Sequence, residues 1–233
     1  MIASFDLKKI EEISNKYLNK DLFEYHNHKS VCYYESEESG EGYVCFECDN
    51  PCLEVRVKRG MMNSILKEKD VPEIVFFEFC DERPCFHILE MKKTLNSKVY
   101  KKVKTQLEQG YFIGLTLKGI LDLPHFTTIA HVVFLNDRMT KPTGVGLATP
   151  GDNRKNKDQT TINNSENMQN KSEFSQEIYE KKEISFMNGM SAHINLVKGE
   201  PIVKGIKEPK KIYSARIETK NVYQDLKERR VVL

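Results

Sequence analysis

A chain of 233 residues has room for one hydrophobic core of ordinary size and not for two full domains. Its 36 Lys and Arg against 34 Asp and Glu leave a formal charge of +2, which by itself argues for neither nucleic acid nor membrane. No run approaches the roughly eighteen apolar residues of a membrane span, and the opening MIASFDLKKIEE is charged where a signal peptide needs an apolar centre. A cytoplasmic protein without membrane contact is expected.

The charges are unevenly spread. Residues 1–50 carry eleven acids and five bases, whereas 92–104 carry six lysines and no acid. Residues 201–233 add nine bases against four acids, so an acidic start balances two basic regions.

In chain order, residues 4–20 place Leu7, Ile10, Ile13 and Tyr17 at helical spacing, with Ser4 or Asp6 as the N-cap. From 25 to 43 the text is acidic and polar with Gly40 and Gly42 as breakers, which predicts a loop or a loose hairpin. Residues 52–58 alternate in the period of a strand, and 61–70 follow as a short helical or irregular piece. Residues 74–79 and 86–91 are dense in β-branched and aromatic side chains around a DERP turn, so they predict an antiparallel pair buried on both faces.

A helix over 97–119 follows, with Val99, Val103, Gln106, Gly110, Ile113 and Leu117 along one face. Its internal glycines signal close packing or a break near Gly110. Residues 127–135 are the next strand. Composition changes at Asn136: residues 138–182 have almost nothing to bury and are expected to be a mobile or disordered insert. Residues 183–233 predict a basic, β-rich extension with strands near 193–197 and 212–217 and a short final helix, completing or packing on a core formed by 1–137.

The chemistry concentrates at Glu73, Glu90 and Lys92. Side chains two apart in a strand share a face, so Glu90 and Lys92 point the same way, and the Met91 carbonyl between them is a third oxygen donor if the ladder ends there. A turn centred near Glu82 and Arg83 sets Glu73 opposite residue 91 or 92, close to Glu90. Two such carboxylates repel, and oxygen ligands of this kind suit Mg²⁺ or Mn²⁺.

Pro72-Glu73, sixteen intervening residues and Glu90-Met91-Lys92 resemble the signature of the PD-(D/E)xK nuclease superfamily. With the elements predicted over 4–20, 52–58, 74–79, 86–91, 97–119 and 127–135, the chain is similar to that family in its α-β-β-β-α-β order. The resemblance implies a restriction-endonuclease-like α/β/α core, a central mixed sheet flanked by helices. It also implies a nuclease whose Glu73 and Glu90 bind the metal, whose Lys92 assists the attacking water, and whose Gln106 adds a polar group from the following helix.

The first acid is Glu rather than the commoner Asp, with Asp81 and Glu78 as alternatives, and an upstream acid is Glu11 or Glu12. Lys93, Lys98, Lys101, Lys102 and Lys104 would track nucleic-acid phosphates, DNA more than RNA, if they are not simply a solvated face. The family further suggests an effector of restriction or phage defence, targeted through oligomerisation or a partner protein. The rival reading is an inactive nuclease fold that serves as an interaction scaffold.

His26, His28 and Cys32 precede Cys45, Cys48 and Cys52. Structural zinc on Cys32, Cys45, Cys48 and Cys52 is thus the alternative to reduced, packed thiols. Cys80 and Cys85 flank the predicted turn and are read as thiols. His87 falls on the face opposite Glu90 and, with His131, reads as a core histidine. The GVG at 144–146 lacks the Lys-Ser or Lys-Thr of a phosphate loop.

Overall fold

Two strands form the centre of the molecule, and all six residues of the first are buried: β5 (Ile74–Phe79) and β6 (Pro84–Leu95). The computed structural model describes residues 6–18, 22–27, 30–37, 40–57, 71–81, 83–139, 178–179, 181–187, 189–202 and 212–230. The expected piece at 61–70, His28 and nearly all of the expected insert lie outside the described residues.

Around this pair runs a seven-stranded mixed sheet. β4 (Cys52–Val55), β5 and β6 form an antiparallel meander. α2 (Ser97–Leu121) then crosses over, so that β7 (Thr127–Asp137) returns parallel to β6, as a helical crossover requires. β1 (Phe23–His26) is added beyond β4, while β9 (Ser191–Lys198) and β8 (Glu183–Ser185) are added beyond β7.

A second sheet of four strands joins β2 (Val31–Glu37) and β3 (Gly40–Glu47) to β11 (Ile212–Glu218) and β10 (Glu200–Ile202). α1 (Leu7–Tyr17) and α3 (Thr219–Arg230) complete the described elements. Asp6 caps α1, accepting from the N–H groups of Lys8 and Lys9, and the 97–121 helix is capped by Asn96, which accepts from Val99 N–H.

Strand alternation divides the core into two. Val75, Phe77, Phe86 and Ile88 pack with Val103 and Leu107 of α2 and Ile10 of α1. Ile74, Phe76, Leu89 and Met91, on the opposite face, pack with Val44 and Phe46 of β3 and with Tyr213 and Ile217 of β11. The α/β class therefore stands, but the expected helix–sheet–helix layering needs correction. Helices cover one face of the large sheet; the other is covered by the second sheet and α3.

Residues 25–43, expected as loop or loose hairpin, hold β1 and the antiparallel β2–β3 hairpin, so the hairpin alternative stands. The C-terminal strands stand where they are expected and are woven into both sheets, with β9 parallel to β7 and β11 parallel to β3. No helix among the described residues is long and apolar enough to cross a membrane.

Gly110 and Gly114 of α2 mark close packing and no break, since the helix runs unbroken to Leu121. A Cβ at Gly114 would lie 2.5, 2.7 and 2.8 Å from three ring atoms of Phe86. That ring is fully buried against Phe77 and Phe126, with centroids 4.6 and 5.5 Å away, so it has nowhere to retreat. Gly114→Ala is expected to destabilise the protein by about 2 kcal/mol from overpacking, even though alanine favours a helix over glycine by about 1 kcal/mol. Urea unfolding of the two proteins measures the difference; a gain in stability would mean that α2 does not sit this close to β6.

Candidate active site

Glu90, Lys92 and Gln106 come together where β6 runs beneath α2, and Glu73 lies just before the start of β5. Ile74 pairs with Leu89, so the turn centres between Asp81 and Glu82, and Glu73 is level with Leu89 and Glu90. The expected pairing with residue 91 or 92 is thus corrected. The shift belongs to the turn, since one register holds along the whole ladder from Ile74–Leu89 to Phe79–Pro84. At the ladder's end Glu73 N–H bonds the Leu89 carbonyl at 3.0 Å, so Glu73 and Ile74 both face Leu89, and such a bulge re-aims a side chain. Glu73 is turned toward the second sheet, where Tyr33 of β2 donates to its Oε2 at 2.7 Å.

Glu90 takes the other side. Along α2, Gly114 rides over Phe86 and Gly110 over Ile88, four residues of helix for two of strand. These steps match, about 6 Å against about 6.6 Å, so one further step sets Gln106 level with Glu90. Glu90 is fully buried and ion-paired with Lys92, whose side chain keeps 19% of its exposure. Gln106 is buried as well: its amide N–H donates to the Val71 carbonyl at 3.2 Å, and its Oε1 accepts no hydrogen bond.

Leu89 C=O faces β5. Backbone groups two apart in a strand point alike, so the Met91 carbonyl faces the place where β5 has ended. The alternative first acids lie elsewhere: Asp81 is exposed at the turn, and Glu78 belongs to the opposite face. Lys98, Lys101 and Lys102 are exposed on the first turns of α2, with Lys93 and Lys104 half-buried nearby.

The zinc reading of the four cysteines is corrected. Cys32 and Cys45 are register partners of β2 and β3 and form a disulfide, so two of the four ligands are already bonded to each other. Cys48, Cys52, Cys80 and Cys85 remain thiols. A hydrogen bond with Cys48, followed by burial, raises the Cys52 thiol far above its ordinary range, and it donates to the Asn50 carbonyl at 3.4 Å.

His87 and His131 are core histidines in a polar row under α3. His87 Nδ1 lies 2.9 Å from His131 Nε2, and its Nε2 lies 2.8 Å from Tyr223 Oη. Tyr223 also donates to Glu78, which accepts a second bond from Asn50 at 2.8 Å, and His131 Nδ1 meets Asn195 at 3.2 Å. Every partner is within the row, so it can be fully buried without water.

Sequence reasoning missed the cleft beside Glu73. A cavity of about 790 Å³ is lined by Glu73, Tyr33, Glu24, His26, Glu54 and Arg56, among others. The signal was the alternating Phe-Glu-Tyr-His of 23–26, obscured by the polar text around it. No protein-family model matches the chain, and no curated protein or solved structure is significantly similar to it.

Proposed function

We propose that the chain is a metal-dependent nuclease of PD-(D/E)xK type, with DNA as its substrate. The observation that carries this reading is the buried Glu90–Lys92 pair at the far end of β6, within the run of α1, the β4–β5–β6 meander, α2 and the parallel β7. An Mg²⁺ or Mn²⁺ ion suits the donors around Glu90, which are oxygens alone: Glu90 itself, the Met91 carbonyl and the unsatisfied Gln106 Oε1; Glu73, held by Tyr33 on the other side, would join them only by turning back. When bound, the ion would polarise the scissile phosphate and lower the pKa of a water.

The protein's own groups do the rest. Glu90 holds the Lys92 ammonium, the one partly exposed charge of the pair, where it can orient the attacking water and balance charge developing on phosphorus. Gln106 ties α2 to the backbone at Val71, two residues before Glu73, and so fixes the helix against both acids. The first turn of α2 carries no acid, and its exposed lysines stand at the positive end of the helix dipole, which favours phosphate. An effector role in restriction or phage defence, targeted by a partner or by self-association, rests on the same resemblance.

Plasmid incubated with the protein and Mg²⁺ or Mn²⁺ tests this. Glu90→Gln and Lys92→Ala are expected to cut at least about 100-fold more slowly than the wild type, while Asp81→Asn cuts at the wild-type rate. Undiminished cutting by Glu90→Gln would refute the assignment.

A further inference from the structure

The free edge of the large sheet carries a second constellation, independent of Glu90. Glu24 of β1 and Glu54 of β4 are register partners, and His26 stands two residues along β1 on the same side. Like charges directly opposite are destabilising, and Arg56 answers them from one side only.

The carboxylate oxygens are divided between two neighbours. Arg56 pairs with Oε2 of Glu24 and reaches Oε1 of Glu54 at 3.3 Å. The remaining oxygens turn to the imidazole: Glu54 Oε2 lies 3.1 Å from His26 Nε2, and Glu24 Oε1 lies 3.8 Å from its Nδ1. One ligand atom from each of the three residues falls within 4.8 Å of the other two, and among the described residues no other three His, Cys, Asp or Glu do so. Glu54 and His26 are the more enclosed, at 10% and 16% side-chain exposure, and Glu24 is the most open at 45%. The group thus forms part of the wall of the 790 Å³ cavity, with one side open to it.

We propose that Glu24, His26 and Glu54 bind a Zn²⁺ ion in this cavity, with Arg56 orienting the two carboxylates from outside. Three protein ligands with an open position is the ligand count of zinc sites that keep a place for water or substrate. The imidazole is what separates this site from the oxygen-only set at Glu90, because imidazole suits zinc and carboxylates alone suit magnesium. Arg56 occupies the oxygens that face away from the imidazole, and such outer partners fix the aim of ligating groups.

The test is a titration of the full chain, stripped with EDTA, using Co²⁺ as the spectroscopic probe and Zn²⁺ to displace it. One equivalent of Co²⁺ is expected, with d–d absorption and no sulfur charge-transfer band. A strong sulfur band would place the ion on the cysteines and overturn the proposal. Glu54→Gln and His26→Ala should each weaken binding about 100-fold or more, and Arg56→Gln about tenfold. Tighter binding by Arg56→Gln would show that the arginine competes with the ion rather than aiming its ligands.

His26→Gln keeps a hydrogen-bonding group beside Glu54 but no imidazole, so it must lose Co²⁺ while melting, metal-free, at the wild-type temperature. Retained binding there refutes the site. Glu90→Gln separates the two readings: it should lose plasmid cutting yet keep the Co²⁺ equivalent. If that equivalent disappears with Glu90, the ion sits at the other site and this proposal fails.

Discussion

Lys92→Met is expected to destabilise the protein by about 3 kcal/mol, more than Glu90→Gln does, although both break the same ion pair. The asymmetry comes from burial. Glu90 is fully enclosed and Lys92 is one-fifth exposed, so removing the lysine leaves a carboxylate in the interior without its ammonium. Removing the carboxylate leaves an ammonium on a flexible stem that can extend to water, at a cost of about 1 kcal/mol. The double variant, Glu90→Gln with Lys92→Met, is expected to recover most of the loss, because the uncompensated charge is gone.

Denaturant unfolding of the four proteins closes this cycle. Equal losses in the two single variants would mean that the pair is solvated. A second arm bears on function: millimolar Mg²⁺ should restore part of the stability of Lys92→Met and none of that of Glu90→Gln. A divalent ion at Glu90 would replace part of the counter-charge lost with the lysine.

How much of this arrangement the residues announced depended on how local its causes were. β5 and the first half of β6 were plain because nearly every residue there is apolar, and α2 because its apolar face repeats over 25 residues. Glu90 and Lys92 followed from strand parity alone. Glu73 did not: the turn is centred earlier than the DERP sequence suggests, and a bulge at the end of the ladder redirects the side chain, which no composition signal marks.

The second sheet was hidden for another reason. β3 does alternate, with Val44 and Phe46 fully buried between the outward Tyr43 and Cys45, but its acids and glycines read as a loop or at most a loose hairpin. Gly42 is there for packing: a Cβ at that position would stand 2.3 Å from the end of Met91. Its parallel partner β11 begins about 170 residues later, so no local window contains the pairing that makes 40–47 a strand. The same holds for the disulfide, which exists because register sets Cys32 opposite Cys45.

The buried histidines make stability depend on pH, and the direction follows from which state binds the proton. Burial holds His87 well below its ordinary value of 6.5, helped by the neighbouring His131, and burial pushes His131 down to about 3. Below pH 6.5 the unfolded chain therefore binds protons that the folded chain refuses. Their contribution is complete above pH 6.5 and is lost as pH falls; for His131 the loss runs toward pH 3 at roughly 1.4 kcal/mol per pH unit, about 2 kcal/mol at pH 5, and His87 acts in the same direction.

Glu78 works in the opposite sense. Burial raises its carboxyl above the ordinary 4.5 in spite of the bonds from Tyr223 and Asn50, so the folded state holds that proton more tightly. Its contribution is present below pH 4.5 and is lost as pH rises through the raised value. Two histidines outweigh one carboxyl, and the melting temperature should climb from pH 5 to pH 7. His131→Gln, which keeps polar atoms for His87 and Asn195, should make that climb shallower, whereas Glu78→Gln should make it steeper by removing the opposing proton. Parallel pH profiles for His131→Gln and the wild type would mean that His131 binds its proton equally in the folded and unfolded chain, and the row would then be a solvated one.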